Sequence, residues 1–378
     1  MKITSVDATI LRDPNSGEET VLVSVSTNEG LTGYGEALAR SRAVKAVVES
    51  EAVDEGGWDV GVRTLLLGAD PADPAALWAR LRGNTFWSCR SGVGHVALAG
   101  VDMALWDLAG KLHGVPSWRL MGARRNPRLV PYATLYHGSG SFQETLTRTM
   151  DALEVVLGLG FGAVKVESMP DNVPDAYDTI ELVGRVRDRV GPGFPLLLDM
   201  GYRWPDFDAA APVVKEFDQF SLFALEAPFP PDRLDDYHRL ADAIATPLAS
   251  GDQLTAASDY QPLLESETLS FVQGGAARTG VSDMGNLAEA AAAKGIGFLP
   301  WGWVPSGLAT SANIHRAIVH DNIPLIEYRP TELYPDAILR TGLATPEPVL
   351  RGGEFLLPTA PGLGVDVDLT LVDRLRVA

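Results

Sequence analysis

The chain has 378 residues, 46% of them hydrophobic, enough for one large core and a smaller second one. Its 31 Lys and Arg against 49 Asp and Glu give a formal charge of −18, with no basic cluster longer than pairs such as Arg124-Arg125, which argues against nucleic acid as a partner. Small anionic substrates stay open, because a bound divalent cation reverses the field locally.

At the N-terminus, MKITSVDATILRD meets acidic and turn residues before an apolar segment can build, so no signal peptide is visible. No stretch reaches the roughly 20 apolar residues of a membrane span. A soluble cytoplasmic protein with no membrane partner is expected. Strand is predicted for VLVSVS, Val21 to Ser26, a turn for Asn28-Glu29-Gly30, and strand again in LTGYGEA from Leu31. Helical patterns follow, ending in GHVALAGVDMALWDLAGKLHG, where Ala and Leu recur at helical spacing and Gly114 is placed as C-cap ahead of Pro116. Cys89, the single cysteine, excludes intrachain disulfides and a thiolate zinc cluster, fits a reducing compartment, and reads as a small buried hydrophobe.

From about Pro131 apolar runs alternate with amphipathic helices, the sign of βα units and a parallel sheet. A helix is predicted from Ser141, with Glu144 completing a capping box and Leu146, Met150 and Leu153 on one face; the strand AVKVE follows the glycines of GLGFG. The next helix is read from Tyr177, Ile180, Val183, Val186 and Val190, closed by Gly191-Pro192-Gly193 and leading into PLLLD. Further strand ends fall at Glu226, Asp252, Gly275, Trp301 and Glu327, at successive intervals from Asp199 of 27, 26, 23, 26 and 26 residues. Such a unit is one strand, one loop and one helix long, and it favours a closed barrel over an open doubly wound sheet. The expected fold class is α/β. A (β/α)7β TIM-like barrel occupies residues 126–350, and an N-terminal α+β capping domain over 1–125 is completed by the Gly- and Pro-rich stretch 351–378.

Three successive strands end in a carboxylate, Asp199, Glu226 and Asp252, each after an apolar run that a barrel wall would bury. The C-terminal strand ends of a barrel converge on one site, so the three groups face one another there. Two unit charges 4 Å apart repel by about 4 kcal/mol at an effective dielectric near 20. A cation is needed to neutralise the set, and hard oxygen donors with open positions suit Mg2+.

The motifs LTGYGEA and GVDMALWDLAGKLHGVP in the first half, and DMGYRW, LEAPFPPD and PLASGD in the second, carry a resemblance. In order and spacing they are similar to the mandelate racemase and muconate lactonizing family of the enolase superfamily, over nearly the whole chain. The resemblance implies Mg2+ at the ends of the third, fourth and fifth barrel strands, on the same three carboxylates. There it binds a substrate carboxylate, a base takes the α-proton, and the metal stabilises the enediolate. It also implies a homo-oligomer and gives Glu327 a hydrogen bond to the substrate carboxylate. Trp106, Asp107 and Glu36 fall in its structural motifs.

The acid–base positions depart from the family pattern. Members usually carry Lys-x-Lys at the end of the second strand, with the second lysine as base; this chain reads Lys165-Val166-Glu167. Residues i and i+2 of a strand share a face, so Lys165 and Glu167 are both expected at the mouth, either as catalytic groups or as a structural ion pair. The seventh-strand histidine of racemases and many sugar-acid dehydratases is replaced by Trp301, and the sixth-strand aspartate or lysine by Gly275. Two-base racemisation needs a group on each face of the carbon, so one-sided proton chemistry is expected. Candidate substrate contacts are His137 at the close of the first barrel strand, Tyr202, Trp301 as a wall, and Glu327, with Tyr136 and Arg203 bordering the mouth. The expected activity is Mg2+-dependent dehydration of a sugar acid, with Lys165 or Glu167 as base. An epimerase, racemase or cycloisomerase of the same family is the alternative, and a catalytically silent relative that binds metal and carboxylate is a third reading. Specificity loops are expected around Pro14 to Glu19 and Phe86 to Ser91.

Overall fold

The computed structural model describes residues 1–53, 56–136 and 138–377. Its first three strands, β1 (Ile3–Arg12), β2 (Glu19–Thr27) and β3 (Thr32–Ala37), form an antiparallel sheet in that order. Alternation along β1 and β2 puts Val6, Ala8, Val21, Val23 and Val25 in one core. The helix Gly92–His113 packs on this sheet and ends at Gly114, whose φ of 65° makes the left-handed cap. The glycines of LTGYGEA now have a reason. A Cβ on Gly33 would stand 2.1 Å from the Ala104 carbonyl oxygen, and one on Gly35 2.1 Å from that of Gly100, so sheet and helix meet backbone to backbone.

That helix is apolar nearly all round because its other side faces the second half of the chain. Asp102 accepts from the Ser282 N–H and hydroxyl, both at 2.7 Å, and Trp106 Nε1 donates to Ser282 Oγ at 2.9 Å. Eight parallel strands follow: β4 (Pro131–Leu135), β5 (Val164–Glu167), β6 (Leu196–Asp199), β7 (Ala224–Glu226), β8 (Leu248–Ser250), β9 (Phe271–Gly274), β10 (Gly297–Pro300) and β11 (Ile326–Tyr328). They pair in the order β10-β9-β8-β7-β6-β5-β4-β11, with β11 coming back beside β10 to nearly close the barrel. Tyr132, Ala163, Leu197, Ala224, Ala249, Leu299 and Leu325 fill its interior. This is the α/β barrel with an N-terminal antiparallel sheet that the sequence predicts.

Details differ from the expectation. The capping box of Ser141 and Glu144 opens the helix Phe142–Gly158 as predicted, with Leu146 and Leu153 buried. In the helix Asp178–Val190 the buried stripe is Thr179, Leu182, Val183 and Val186, whereas Tyr177 lies outside the helix and is exposed. Of the stripe read from the sequence, Val183 and Val186 are buried and Ile180 and Val190 pack partly buried against the core; Thr179 and Leu182 widen that face. β8 stops at Ser250, which leaves Asp252 on the loop beyond the strand. The final segment holds the two-residue strand Asp366–Val367 and then the helix Leu369–Leu375, after which the Val377 N–H donates to the Ile10 carbonyl at 2.9 Å. Among the described residues no helix is long and apolar enough to cross a membrane, and Cys89 is buried.

Candidate active site

Parallel register sets Glu167 beside Asp199 on β5 and β6, and Asp199 beside Glu226 on β6 and β7. Lys165, Glu167, Asp199, Glu226, Asp252 and Glu327 are all at most 7% exposed. Lys165 is the hub. Its Nζ donates to Glu226 Oε1 at 2.9 Å and Oε2 at 3.1 Å, and it stands 3.0 Å from Glu327 Oε1 and 3.3 Å from Asp199 Oδ2, above the Tyr132 ring. Burial alone would lower its pKa, but the surrounding carboxylates, Glu226 first, hold it well above the usual lysine range. The Lys165–Glu167 ion pair, one of the two readings from sequence, is not formed among the described residues; Lys165 turns instead to Glu226, Glu327 and the neighbouring Asp199.

Glu167 is left with burial and charge alone. Desolvation, then the neighbouring Asp199, push its carboxyl well above the usual range, and among the described residues no hydrogen bond relieves it. Its backbone carbonyl is held by Asn172 Nδ2 at 3.1 Å. The loop that follows is clamped by Arg203, which donates to the carbonyls of Ser168 and Val173. Arg203 is thus a brace behind the mouth. Glu327 lies deeper, accepting from the Thr134 hydroxyl and from the Gly302 N–H at 2.7 Å while facing Lys165.

Asp199 Oδ1 accepts from the Gly201 N–H at 2.8 Å. Asp252 accepts from the Tyr202 hydroxyl and from Gln253 Nε2 at 2.6 Å, and burial raises its pKa. Tyr202 and Ala227 both have left-handed backbones, φ 58° and 46°, and the Tyr202 N–H donates to the Ala227 carbonyl at 2.6 Å. Non-glycine residues hold that region only where the surroundings impose it, and both line the cavity.

The cavity itself is about 350 Å3. Lys165, Glu167, Asp199, Tyr202 and Asp252 line it together with Tyr136, Met169, Gln253, Trp301 and Trp303. At Gly275, one of the two places where a second base would stand, there is no room for a side chain. A Cβ on Gly275 would lie 2.5 Å from the Trp301 carbonyl oxygen, which also accepts from Asn313 Nδ2 at 2.8 Å. The Arg278 guanidinium sits 4.9 Å over the Trp301 ring and donates to Gln253 Oε1 at 2.6 Å. Trp303 meets Tyr136 and Tyr334 edge to face, and Arg329, 4.6 Å over Trp303, donates to Glu18 Oε1 at 2.7 Å. The segment around Pro14 to Glu19 therefore reaches the aromatic wall. The Phe86 to Ser91 segment approaches from the other domain, where the Gly92 N–H donates to Thr255 Oγ1 at 2.8 Å.

Of the residues singled out from sequence, Lys165, Glu167, Asp199, Tyr202, Asp252 and Trp301 line one cavity, and Glu226 and Glu327 back it; His137 lies outside the described residues. Sequence reading missed Met169, Gln253 and Trp303. Gln253 follows Asp252 directly and Trp303 lies two residues past Trp301, so adjacency to a strand end was the one signal available. Five buried carboxylates, Glu167, Asp199, Glu226, Asp252 and Glu327, share the site with one ammonium, an excess of hard anionic oxygen that suits a Mg2+ ion. The oxygens presently accept from Lys165, Tyr202, Gln253 and the Gly201 N–H, and among the described residues no three metal-ligating side chains converge on one point. The donor chemistry fits the ion.

Comparison with known proteins gives the same picture. Residues 9–122 match the family described as mandelate racemase / muconate lactonizing enzyme, N-terminal domain, and residues 149–371 match the enolase C-terminal domain-like family. The L-talarate/galactarate dehydratase of Salmonella typhimurium is 28% identical over 265 residues, 70% of this chain and 63% of that protein's length. The D-galactarolactone cycloisomerase of Agrobacterium fabrum is 25% identical over 370 residues, covering 94% of this chain and 91% of that one. A crystal structure of a racemase from Streptomyces coelicolor A3(2) with bound magnesium has a TM-score of 0.82 at 22% identity, over 99% of this chain and 100% of that one.

Proposed function

Because the chain belongs to the mandelate racemase / muconate lactonizing enzyme family of the enolase superfamily, we propose that it is a Mg2+-dependent lyase that dehydrates a sugar acid, with Glu167 as its acid–base group. One observation carries this reading. The two inward residues of β5 have divided their work: the Lys165 ammonium is engaged by three carboxylates, while the Glu167 carboxyl lines the cavity with no hydrogen-bond partner among the described residues. Glu167 occupies the place of the family's second lysine.

Asp199, Glu226 and Asp252 would hold the ion, which when bound supplies positive charge against the charge that builds on the substrate carboxylate as the α-proton leaves. Lys165 keeps the buried carboxylates compatible with one another. Tyr202 and Gln253 orient Asp252. Glu167 accepts the α-proton on a carboxylate oxygen and returns it to the β-hydroxyl, which departs as water. A C–H and a C–O bond break, one C=C forms, and the enol tautomerises to a 2-keto-3-deoxy acid. Both transfers use one group, so elimination is syn. The opposite side, where the Trp301 carbonyl crowds Gly275, supplies no second base for racemisation. The single buried thiol supports a cytoplasmic setting, and family membership supports a homo-oligomer. The hydrogen bond of Val377 to Ile10 supports a capping domain of residues 1–125 completed by 351–378 beside a barrel of 126–350.

Incubation with Mg2+ and a panel of aldonic and aldaric acids should release a 2-keto-3-deoxy acid, and a chelator should abolish it. Binding of an acid with no dehydration and no α-proton exchange in D2O would mean a silent relative and overturn the proposal.

A further inference from the structure

Asp252 differs from Asp199 and Glu226 in how it is held. Those two close strands, and the parallel ladder fixes the direction of each side chain. Asp252 lies two residues past the end of β8, after Gly251 with a φ of 108°, where no ladder constrains it. Side-chain contacts take over that task. The Tyr202 hydroxyl donates to Asp252 Oδ1, and Gln253 Nε2 donates to Oδ2 at 2.6 Å.

Gln253 is on the same loop, and its amide offers a donor at one end and an acceptor at the other. Arg278 Nη1 decides which end faces the carboxylate. It donates to Gln253 Oε1 at 2.6 Å, which leaves Nε2 for Asp252, and to the Asp252 carbonyl at 3.2 Å. One guanidinium nitrogen therefore holds both the backbone of Asp252 and the side chain that orients its carboxylate. A charged donor on the amide oxygen also strengthens the hydrogen bond that the amide N–H makes.

Arg278 is itself anchored. It lies on the short helix Ala276–Thr279 that follows β9, its N–H donates to the Gly275 carbonyl at 3.0 Å, and its guanidinium lies 4.9 Å over the Trp301 ring. Asn313 ties this helix to the end of β10, accepting from the Ala276 N–H at 3.0 Å and donating to the Trp301 carbonyl at 2.8 Å. Among the described residues no carboxylate pairs with Arg278, and its hydrogen bonds go to neutral oxygens. It is not among the residues that line the cavity. A planar guanidinium can lie on a ring while one nitrogen serves two acceptors, which an ammonium on a flexible stem does not.

We infer that Arg278 is a positioning residue of the metal site: it holds Gln253, and through Gln253 the Asp252 carboxylate, in place for Mg2+. The inference rests on the proposed role of Asp252 as a ligand. Partners one bond removed from a metal contribute about 10- to 100-fold to its affinity. The test is a double-mutant cycle read as the Mg2+ Kd of the metal-free full chain by titration calorimetry, with urea midpoints measured alongside. Arg278→Met and Gln253→Leu should each weaken Mg2+ binding at least about tenfold. The double variant should bind no more than about threefold more weakly than Gln253→Leu alone, because the two residues act as one unit. Effects that multiply overturn the inference. So does an Arg278→Met protein with a lowered urea midpoint and an unchanged Kd, the result of a role in stability alone. Arg278→Lys, which keeps a donor and loses the flat face, takes the place of Arg278→Met in the cycle if that variant does not fold. Wild-type binding that Arg278 does not influence leaves the proposed function standing, whereas a wild-type chain that binds no Mg2+ removes both.

Discussion

The two sides of the barrel mouth are made by the same repeating unit and have opposite chemistry. β5, β6 and β7 end in Glu167, Asp199 and Glu226, gathered round Lys165; β9 and β10 run out into Gly275 and Trp301, where a backbone carbonyl fills the place a side chain would need. The backbone of the two sides is interchangeable, and the residue at each strand end decides what that side can do. One side can carry charge and a proton. The other can only shape a surface. The comparison would explain how a family relationship is compatible with the proposed reaction on one face of the substrate.

The sharpest way to break the comparison is to remove the proposed proton carrier. Glu167→Gln keeps size and hydrogen-bonding shape, and should lower kcat by about 10²–10⁴-fold while α-proton exchange in D2O disappears and substrate binding survives. Residual exchange near the wild-type rate would show that the Trp301 side, or Lys165, does move protons. Lys165→Met comes next. It leaves Glu226, Glu327 and Asp199 buried without their cation, and the expected loss is about 3–5 kcal/mol in urea unfolding. Saturating Mg2+ should recover part of that loss, because the ion binds the folded state and answers the same charge. An equal loss with and without Mg2+ would separate the metal from these carboxylates.

On the aromatic side the effect is steric and smaller. Gly275→Ala sets a methyl 2.5 Å from the Trp301 oxygen and should cost about 1–3 kcal/mol. Gly275→Lys, which restores a family base, should destabilise the protein at least as much and create no epimerase activity. Detectable epimerisation would mean that this side is more adaptable than its backbone contact indicates.

Much of the charged side was readable from sequence and little of the aromatic side was. Asp199, Glu226 and Asp252 stand out because each closes a buried apolar run at a regular interval, and burial makes a carboxylate there conspicuous. Lys165 and Glu167 could be placed on one face by strand periodicity, yet not assigned partners, since Glu226 and Glu327 reach Lys165 from strands far apart in sequence. Met169, Gln253 and Trp303 sit on loops, where no period links position to direction. On the helix Asp178–Val190 the spacing found Val183 and Val186 but not Thr179 and Leu182, which packing against the barrel buries beside them.

A third carboxyl environment isolates what Lys165 does. Asp102 is as deeply buried as Glu226, but its direct partners are the neutral donors of Ser282, with Arg316 acting from farther off. Burial is the largest influence, and it raises Asp102 to about 7 from an ordinary 3.8. The sign follows from comparing folded and unfolded chains. Below pH 4 both hold the proton; between pH 4 and 7 the unfolded chain has released it while the folded one keeps it, so stability falls as pH rises through that window. The slope from one such group is at most about 1.4 kcal/mol per pH unit. Asp102→Asn removes the titration and keeps a carbonyl for the Ser282 N–H, so the fall in urea midpoint from pH 5 to pH 7 should be smaller in the variant than in the wild type. If the two fall in parallel, Asp102 is ionised throughout, and neutral donors serve a buried carboxylate as well as an ammonium does.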